Sequence, residues 1–413
     1  MNTGDTSFIL VSTALVFFMT PGLAFFYGGL VRRKNVLNTI MASFFILGLA
    51  AVLWVLVGYS LAFGKDTGGF IGNLQWFALN GVGADPNPDY SATIPQSLFA
   101  AFQMMFAIIT PAILTGALVE RIKFSALFIF IGLWCIIVYY PMAHMVWGVG
   151  GFIRELGAID FAGGTVGHMS SGISALVAAI VIGRRKGLGM ATYRPHNIPF
   201  VVLGASILWF GWFGFNAGSA LGANGLAAHA FMTTNTATAA ALLSWMLIEK
   251  ILRGKPTLLG AATGAGVGLA SITQGAGFVP VWAAAITGAA ASVICYFALS
   301  VLKSKMRYDD SLDAFGCHGI GGIWGCMMTG VFAQTSINSA ARWNGLIYGD
   351  FHLFVVQLIG ILTVILLSVI GTFIIMTVLK KIMRVRVMPG EETKGLDITQ
   401  HNENAYPSFT GMD

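Results

Sequence analysis

Gly167-His168-Met169-Ser170-Ser171-Gly172 and Cys317-His318-Gly319-Ile320-Gly321-Gly322 write one pattern twice: a histidine with a glycine four residues on. The two copies lie 150 residues apart. Each histidine sits in a long apolar segment whose middle carries no Lys, Arg, Asp or Glu. An ionisable side chain at membrane depth is costly and marks a functional site by default. Two of them in matching frames point to one site built from both halves of an internal repeat. A bilayer interior disfavours imidazolium, and the neutral ring carries one donor and one acceptor nitrogen. Two such rings in contact share one proton and can relay a second. That suits a small polar substrate, or a proton, crossing a dry lumen. The plainer reading, core histidines each satisfied by a neighbour, loses ground because the pair is matched.

Composition decides the class. Of 413 residues, 56% are hydrophobic and 10% charged; mean hydropathy is +0.78. A soluble domain carries roughly 25% charged residues, so there is too little charge here to coat a water-facing surface. Lipid must face much of this chain, and long apolar runs in lipid mean helices rather than barrel strands. The fold expected is an all-α integral membrane protein. Cys135, Cys295, Cys317 and Cys326 fall in apolar stretches without CxxC spacing and read as small core residues. The net charge of +6 resides in short connectors between apolar runs, which is a topology signal and not a nucleic-acid patch.

Eleven spans are expected, near 7–31, 38–63, 95–119, 124–146, 161–183, 199–216, 228–249, 257–274, 279–302, 313–333 and 352–379. The sixth and eighth are short and glycine-rich, which suggests tilted or broken helices. Of the 23 Lys and Arg, all but Lys65, Arg154 and Arg342 fall on one side of this arrangement. The positive-inside rule then places the N-terminus outside and the C-terminus in the cytosol. The first span has no basic residue before Arg32 and too long an apolar run for a leader, so it reads as a retained helix. Spans 1–5 and 6–10 form an inverted 5+5 repeat with its site near the midplane, and a final helix stands outside it. The chain divides into a transmembrane domain, 1–386, and a polar cytosolic tail, 387–413, ordered only if it docks on something. The connector 64–94, rich in Gly, Pro, Asn and Asp, is the largest external one and reads as a solvated loop.

Other residues bear on cation capture. Asp160 begins span 5, eight residues before His168. It is a helix N-cap, and a negative charge near the outer mouth as well. Asp313 stands similarly before His318, close to Asp309 and Asp310. Trp147 ends span 4, either as an aromatic-belt anchor or as a face for a cation. Phe102 and Phe106 share one face of span 3, a spacing that packing alone also explains. Gly211-Trp-Phe-Gly-Phe-Asn-Ala-Gly-Ser219 lets helices approach closely and lacks the strand context of a nucleotide site. No Ser–His–Asp, metalloprotease or P-loop pattern appears, so no catalytic role is assigned and the chain is not read as an enzyme. Histidines as haem ligands would need further partners that the sequence does not offer.

At these residues the chain resembles the ammonium transporter (Amt/Rh) family. The likeness runs over Thr20-Pro-Gly-Leu-Ala-Phe-Phe-Tyr-Gly-Gly29, Phe102-Gln-Met-Met-Phe106, Glu120-Arg-Ile-Lys-Phe124, Ala143-His-Met-Val-Trp-Gly148, Asp160-Phe-Ala-Gly-Gly-Thr-Val-Gly-His168, Phe210-Gly-Trp-Phe-Gly-Phe-Asn-Ala-Gly-Ser219, Asp309-Asp-Ser-Leu-Asp-Ala-Phe-Gly-Cys-His318 and Gly395-Leu-Asp-Ile-Thr-Gln-His-Asn-Glu-Asn-Ala-Tyr406. The resemblance implies an eleven-helix protomer in a homotrimer of the plasma membrane, one pore per subunit and no cofactor. It implies that Trp147, Phe102, Phe106 and Ser219 form an external ammonium site, that Asp160 supports capture, and that Phe106 and Phe215 make an aromatic gate. His168 and His318 would be the twin histidines of the pore, and the tail would lie near the docking surface of a PII-type signalling protein. Ammonium resembles potassium in size but can shed a proton. Crossing as neutral ammonia avoids the charge cost, about 3 to over 10 kcal/mol at the midplane. If the proton crosses along the histidines, transport is electrogenic, the expectation here; if it returns outside, the protein is a neutral gas channel. A sensor signalling through its tail is the reading from another class.

Overall fold

The computed structural model describes residues 1–189 and 193–406; residues 407–413 of the expected tail lie outside them. The described chain is mostly helical. Nine of its helices are long and apolar enough to cross a membrane: Thr3–Leu30, Arg33–Phe63, Gln96–Thr115, Phe124–Glu155, Gly164–Ile182, Ile198–Gly218, Gly225–Arg253, Val281–Met306 and His352–Ile382. Two shorter ones stand where the eighth and tenth spans were expected. Leu258–Ile272 has 15 residues, about 22 Å at 1.5 Å per residue. Phe315–Ile320 runs into Gly321–Phe332.

Periodicity explains which way the helices face. On His352–Ile382, Leu362, Leu366, Ile370 and Phe373 are exposed, while Val364, Ser368, Gly371 and Ile375 are buried. That is an apolar stripe turned outward, the reverse of a soluble helix. The sixth expected span differs from the expectation: Ile198–Gly218 is continuous. Its glycines do not break it but let Thr3–Leu30 lie against it, since a Cβ on Gly204 would fall 2.3 Å from the Phe26 amide nitrogen. Local breaks occur elsewhere, as π turns at Trp54–Gly58, Cys135–Tyr139, Gly164–Met169, Ala298–Leu302 and Phe315–Ile320. Such bulges gather at functional sites, and His168 and His318 each lie in one.

The connector 64–94 is more than a solvated loop. It folds into two small antiparallel hairpins, Asp66–Thr67 with Ile71–Gly72 and Pro86–Asn87 with Ser91–Pro95. The opposite face is held by buried charges. Glu120 accepts from Arg32 Nε at 2.8 Å and Arg185 Nη1 at 2.7 Å. Arg185 Nη2 also meets Asp309 Oδ1 at 2.7 Å. Burial opposes ionisation of Asp309, but the hydrogen bond from Arg185 and the charges of Arg121 and Arg185 prevail and hold its carboxyl down at about 2.

The tail docks on this face. Its backbone pairs with 121–123 through Val387 N–H to the Arg121 carbonyl (3.0 Å) and Lys123 N–H to the Val385 carbonyl (2.9 Å). Further on, Leu396 N–H donates to Asn35 Oδ1 at 2.8 Å, and Asn38 N–H donates to Asp397 Oδ1 at 2.8 Å. Gly395, at φ +116° with its Cα against Lys34, makes the turn that brings these groups in.

Candidate functional site

The two histidine segments meet each other. A Cβ on Gly172 would lie 2.1 Å from the Gly319 nitrogen, and one on Gly322 would lie 3.0 Å from the Met169 nitrogen. Each copy of the repeated pattern therefore packs its glycine on the turn beside the other copy's histidine. This closeness sets His168 Nδ1 3.2 Å from His318 Nδ1, with ring planes at 20°. His168 is 1% exposed and its Nε2 has no protein partner. The His168 ring stacks on Trp212 at 5.0 Å, and Trp212 Nε1 donates to Thr273 Oγ1 at 2.9 Å.

Both π turns start from a buried aspartate. Asp160 Oδ1 accepts from the Gly163 and Gly164 amides and Oδ2 from those of Thr165 and Val166, all within 3.0 Å. In the second copy Asp310 takes this part, accepting from the amides of Ala314 at 3.1 Å and Phe315 at 2.7 Å. Asp310, not Asp313, is thus the counterpart of Asp160, which corrects the sequence reading. Asp313 stands instead where the first copy has Gly163: both are left-handed, at φ +62° and +95°. Its carboxylate turns away to Lys303 Nζ at 2.5 Å. The offset of eight residues from each histidine carried this signal, had Asp310 been aligned in place of Asp313.

On one side of the histidines an open recess is lined by Phe102, Phe106, Trp147, Asp160 and Ser219. Phe102 and Phe106 meet edge to face at 5.1 Å, and Phe106 meets Trp147 likewise at 6.0 Å. Trp147 Nε1 donates to the Asp160 carbonyl at 3.0 Å. Ser219 Oγ donates to the Phe215 carbonyl at 2.8 Å, which leaves its lone pairs as acceptors. At the base of the recess Phe106 packs on Phe215 at 4.3 Å. Beyond that pair a narrow cavity is lined by Leu23, Ile113, His168, Trp212, Cys317 and His318. All eight residues singled out in the sequence therefore fall along one line, from recess through aromatic pair to paired imidazoles. Cys317 differs from the expectation of a core thiol, because it borders this cavity and is only partly buried. Sequence reasoning did not single out Trp212, and Arg154, which it used only for topology, lines the recess and donates to the Trp147 carbonyl at 2.5 Å.

The chemistry open to this arrangement is narrow. Four backbone donors occupy the Asp160 carboxylate, so its first role is the cap. It still leaves negative charge beside the recess. Three aromatic faces and a hydroxyl acceptor suit a small cation with N–H groups. Past the Phe106–Phe215 pair the cavity is mostly apolar, and the two imidazoles, with Thr263 and Cys317, bring the polar groups to it.

The Ammonium Transporter Family model matches residues 7–406. A protein of Bacillus subtilis (strain 168) named ammonium transporter is 50% identical over 98% of this chain and 99% of its own. The ammonium transporter Amt1 of Archaeoglobus fulgidus is 45% identical over 98% of this chain and 100% of its own. Among solved structures, Mep2 of Saccharomyces cerevisiae superposes with a TM-score of 0.88 at 36% identity, covering 94% of this chain and 91% of its own.

Proposed function

Since the chain belongs to the ammonium transporter family, and is a multi-pass membrane protein that transports ammonium, we propose how its site does so. Ammonium is captured in the recess of Trp147, Phe102, Phe106 and Ser219, beside Asp160. It gives up a proton there, which crosses separately along the histidines, because an intact cation would face a cost of about 3 to over 10 kcal/mol at the midplane. Ammonia then passes Phe106 and Phe215 and is handed along His168 and His318. Potassium has no neutral form and stops at the recess. The observation that carries this reading is the Nδ1–Nδ1 contact of 3.2 Å inside an apolar cavity. One ring donates and the other accepts, so the pair can pass a proton by exchanging roles, and transport is electrogenic.

The frame of this reading is eleven spans, with Leu258–Ile272 and Phe315–Phe332 as the eighth and tenth. The inverted 5+5 repeat is supported by the matched Asp160 and Asp310 caps and the two π turns. The bias of basic residues supports an external N-terminus and a cytosolic C-terminus in the plasma membrane. We further propose a homotrimer with one pore per subunit, a transmembrane domain of 1–386, and a tail of 387–413 whose docking face receives a PII-type partner. The test is the current across proteoliposomes after an ammonium pulse, with empty liposomes and an equal potassium pulse as controls. An ammonium-specific inward charge movement is expected. Ammonia-dependent internal alkalinisation without current would replace this mechanism with a neutral gas channel.

A further inference from the structure

One buried histidine near the recess has no part in the transport path. His144 lies one helical turn before Trp147 and is 0% exposed. Both its ring nitrogens meet oxygen: Nδ1 lies 3.0 Å from the Ala62 carbonyl and Nε2 lies 2.9 Å from Asp66 Oδ1. A carbonyl oxygen only accepts, so Nδ1 carries a proton. Nε2 faces a carboxylate whose side chain is 31% exposed and remains open to outside water. Two bare lone pairs would repel at this distance, so a hydrogen bond joins Nε2 and Asp66 Oδ1. The hydrogen bond from His144, then that from Gly69, hold the Asp66 carboxyl below its usual range against a small desolvation cost.

This pair is the start of a continuous set of bonds to Trp147. The same Asp66 Oδ1 accepts from Gly69 N–H at 2.8 Å, closing the hairpin of Asp66–Thr67 and Ile71–Gly72. The Gly69 carbonyl accepts from Phe152 N–H at 2.8 Å. Phe152 opens the short helix Phe152–Glu155, from which Arg154 donates to the Trp147 carbonyl at 2.5 Å. Between them the chain folds tightly over the His144 ring: a Cβ on Gly148 would lie 2.5 Å from Nδ1. The other titratable groups on the packed segments are bonded elsewhere or to nothing. Arg154 is on Trp147, Glu155 is 3.8 Å from Arg342, and Tyr90 receives Val149 N–H. Tyr59 accepts from Gln96, His168 pairs with His318, and the Tyr140 hydroxyl has no partner. Lys65, next to Asp66 in the chain, makes no hydrogen bond to either member among the described residues.

We propose that His144 and Asp66 form a clasp that positions Trp147 for cation capture, by holding the hairpin on the helix that carries it. Both are positioning residues, since neither lines the recess. The proposal rests on the reading of Trp147 as part of the ammonium site. When the bond between them is lost, the hairpin comes away from the helix and affinity for the cation falls, while the histidine path is untouched.

Two measurements decide it. Full-length protein in lipid nanodiscs, labelled with ¹³C and ¹⁵N at histidine and with His144→Gln assigning the signal, reads the ring directly. Expected are hydrogen-bonded signals at both ring nitrogens of His144; a ring nitrogen free of hydrogen bonding overturns the clasp. Uptake of labelled methylammonium into proteoliposomes, expressed against the free cation, reads its consequence. Asp66→Asn and His144→Gln should raise KM about fivefold, the size of one lost hydrogen bond, with Vmax little changed. A wild-type KM in both variants overturns the proposal. Trp147→Leu is the separate control: an unchanged KM there defeats the site reading, while the ring signal still judges the clasp.

Discussion

His168 and His318 face each other Nδ1 to Nδ1 at 3.2 Å, and the two rings therefore hold opposite tautomers with one shared proton. Neither ring alone can pass a proton on, because the receiving nitrogen must belong to the other. Replacing both with apolar residues should lower the ammonium-evoked current in proteoliposomes by more than about tenfold, which corresponds to at least about 1.4 kcal/mol added to the barrier. Undiminished current in the double variant defeats the relay.

The approach of the rings depends on Gly172. Its Cα stands where a methyl group would lie 2.1 Å from the Gly319 backbone nitrogen, and backbone has no rotamer with which to yield. Gly172→Ala should push the two π turns apart, at a cost of about 1–3 kcal/mol for overpacking. The imidazoles would then be too far apart to bond. Loss of current with a lowered melting temperature is expected. Gly225→Ala, where a Cβ meets nothing within 4 Å, should change neither. Equal behaviour of the two variants would show that the contact does not set the histidine geometry.

Asp160 gathers four backbone amides at the head of the first π turn. Asparagine keeps one acceptor oxygen and leaves two of those buried donors unpaired, at about 1–3 kcal/mol each; alanine leaves all four. Thermal unfolding in detergent should rank wild type above Asp160→Asn above Asp160→Ala. An asparagine variant as stable as wild type would mean that the charge, and not the cap, is what the site needs from this residue.

Much of this was legible in the sequence, for physical reasons. Long uncharged runs have one solution in lipid, and the His168 and His318 frames aligned the halves without any structure. Spacing named the outer aromatics individually, and only the family resemblance grouped them, because Phe102 and Trp147 belong to different helices that packing brings together. Asp310 was missed in favour of Asp313, although it shares Asp160's offset of eight residues from its histidine, because three aspartates crowd into 309–313 and the nearest one drew the comparison. The His144–Asp66 contact spans 78 residues and joins a helix to a loop that reads as solvated, so no local pattern announces it. The tail's docking was likewise invisible, since Leu396 and Asp397 are held by Asn35 and Asn38, polar residues at the start of the second helix.

On the opposite face, Asp309 makes stability depend on acid. Its folded carboxyl titrates at about 2, below its ordinary 3.8. A depressed carboxylate contributes above its unfolded value and loses that contribution as pH falls through the folded one. About 2 kcal/mol should therefore be present at pH 4 and above and vanish towards pH 2. Asp310 works in the opposite sense. Burial, against Lys303 and with Asp313, raises it to about 6, so its term is recovered as pH falls from neutral. Melting temperatures across this range should fall steeply below pH 4 in wild type and much less in Asp309→Asn. A parallel fall in both assigns the acid sensitivity to other carboxylates.

Asp397 fastens the tail. It is 2% exposed, and its Oδ1 accepts from the Asn38 amide at the head of the second helix. Alanine there leaves that buried amide unpaired, at about 1–3 kcal/mol. The segment is otherwise held by few bonds, among them Leu396 N–H to Asn35 Oδ1 at 2.8 Å and Asn38 Nδ2 to His401 Nε2 at 2.9 Å. The lost energy should appear as local opening, because docked segments open well below the free energy of global unfolding. Amides at 395–401 should exchange about 5- to 150-fold faster in Asp397→Ala, and trypsin should cut after Lys394 correspondingly sooner. Amides in the His352–Ile382 helix should exchange as in wild type, which separates release of the tail from loss of the fold. Unchanged exchange at 395–401 would mean that the backbone pairing at Val385 and Val387 holds the tail without Asp397.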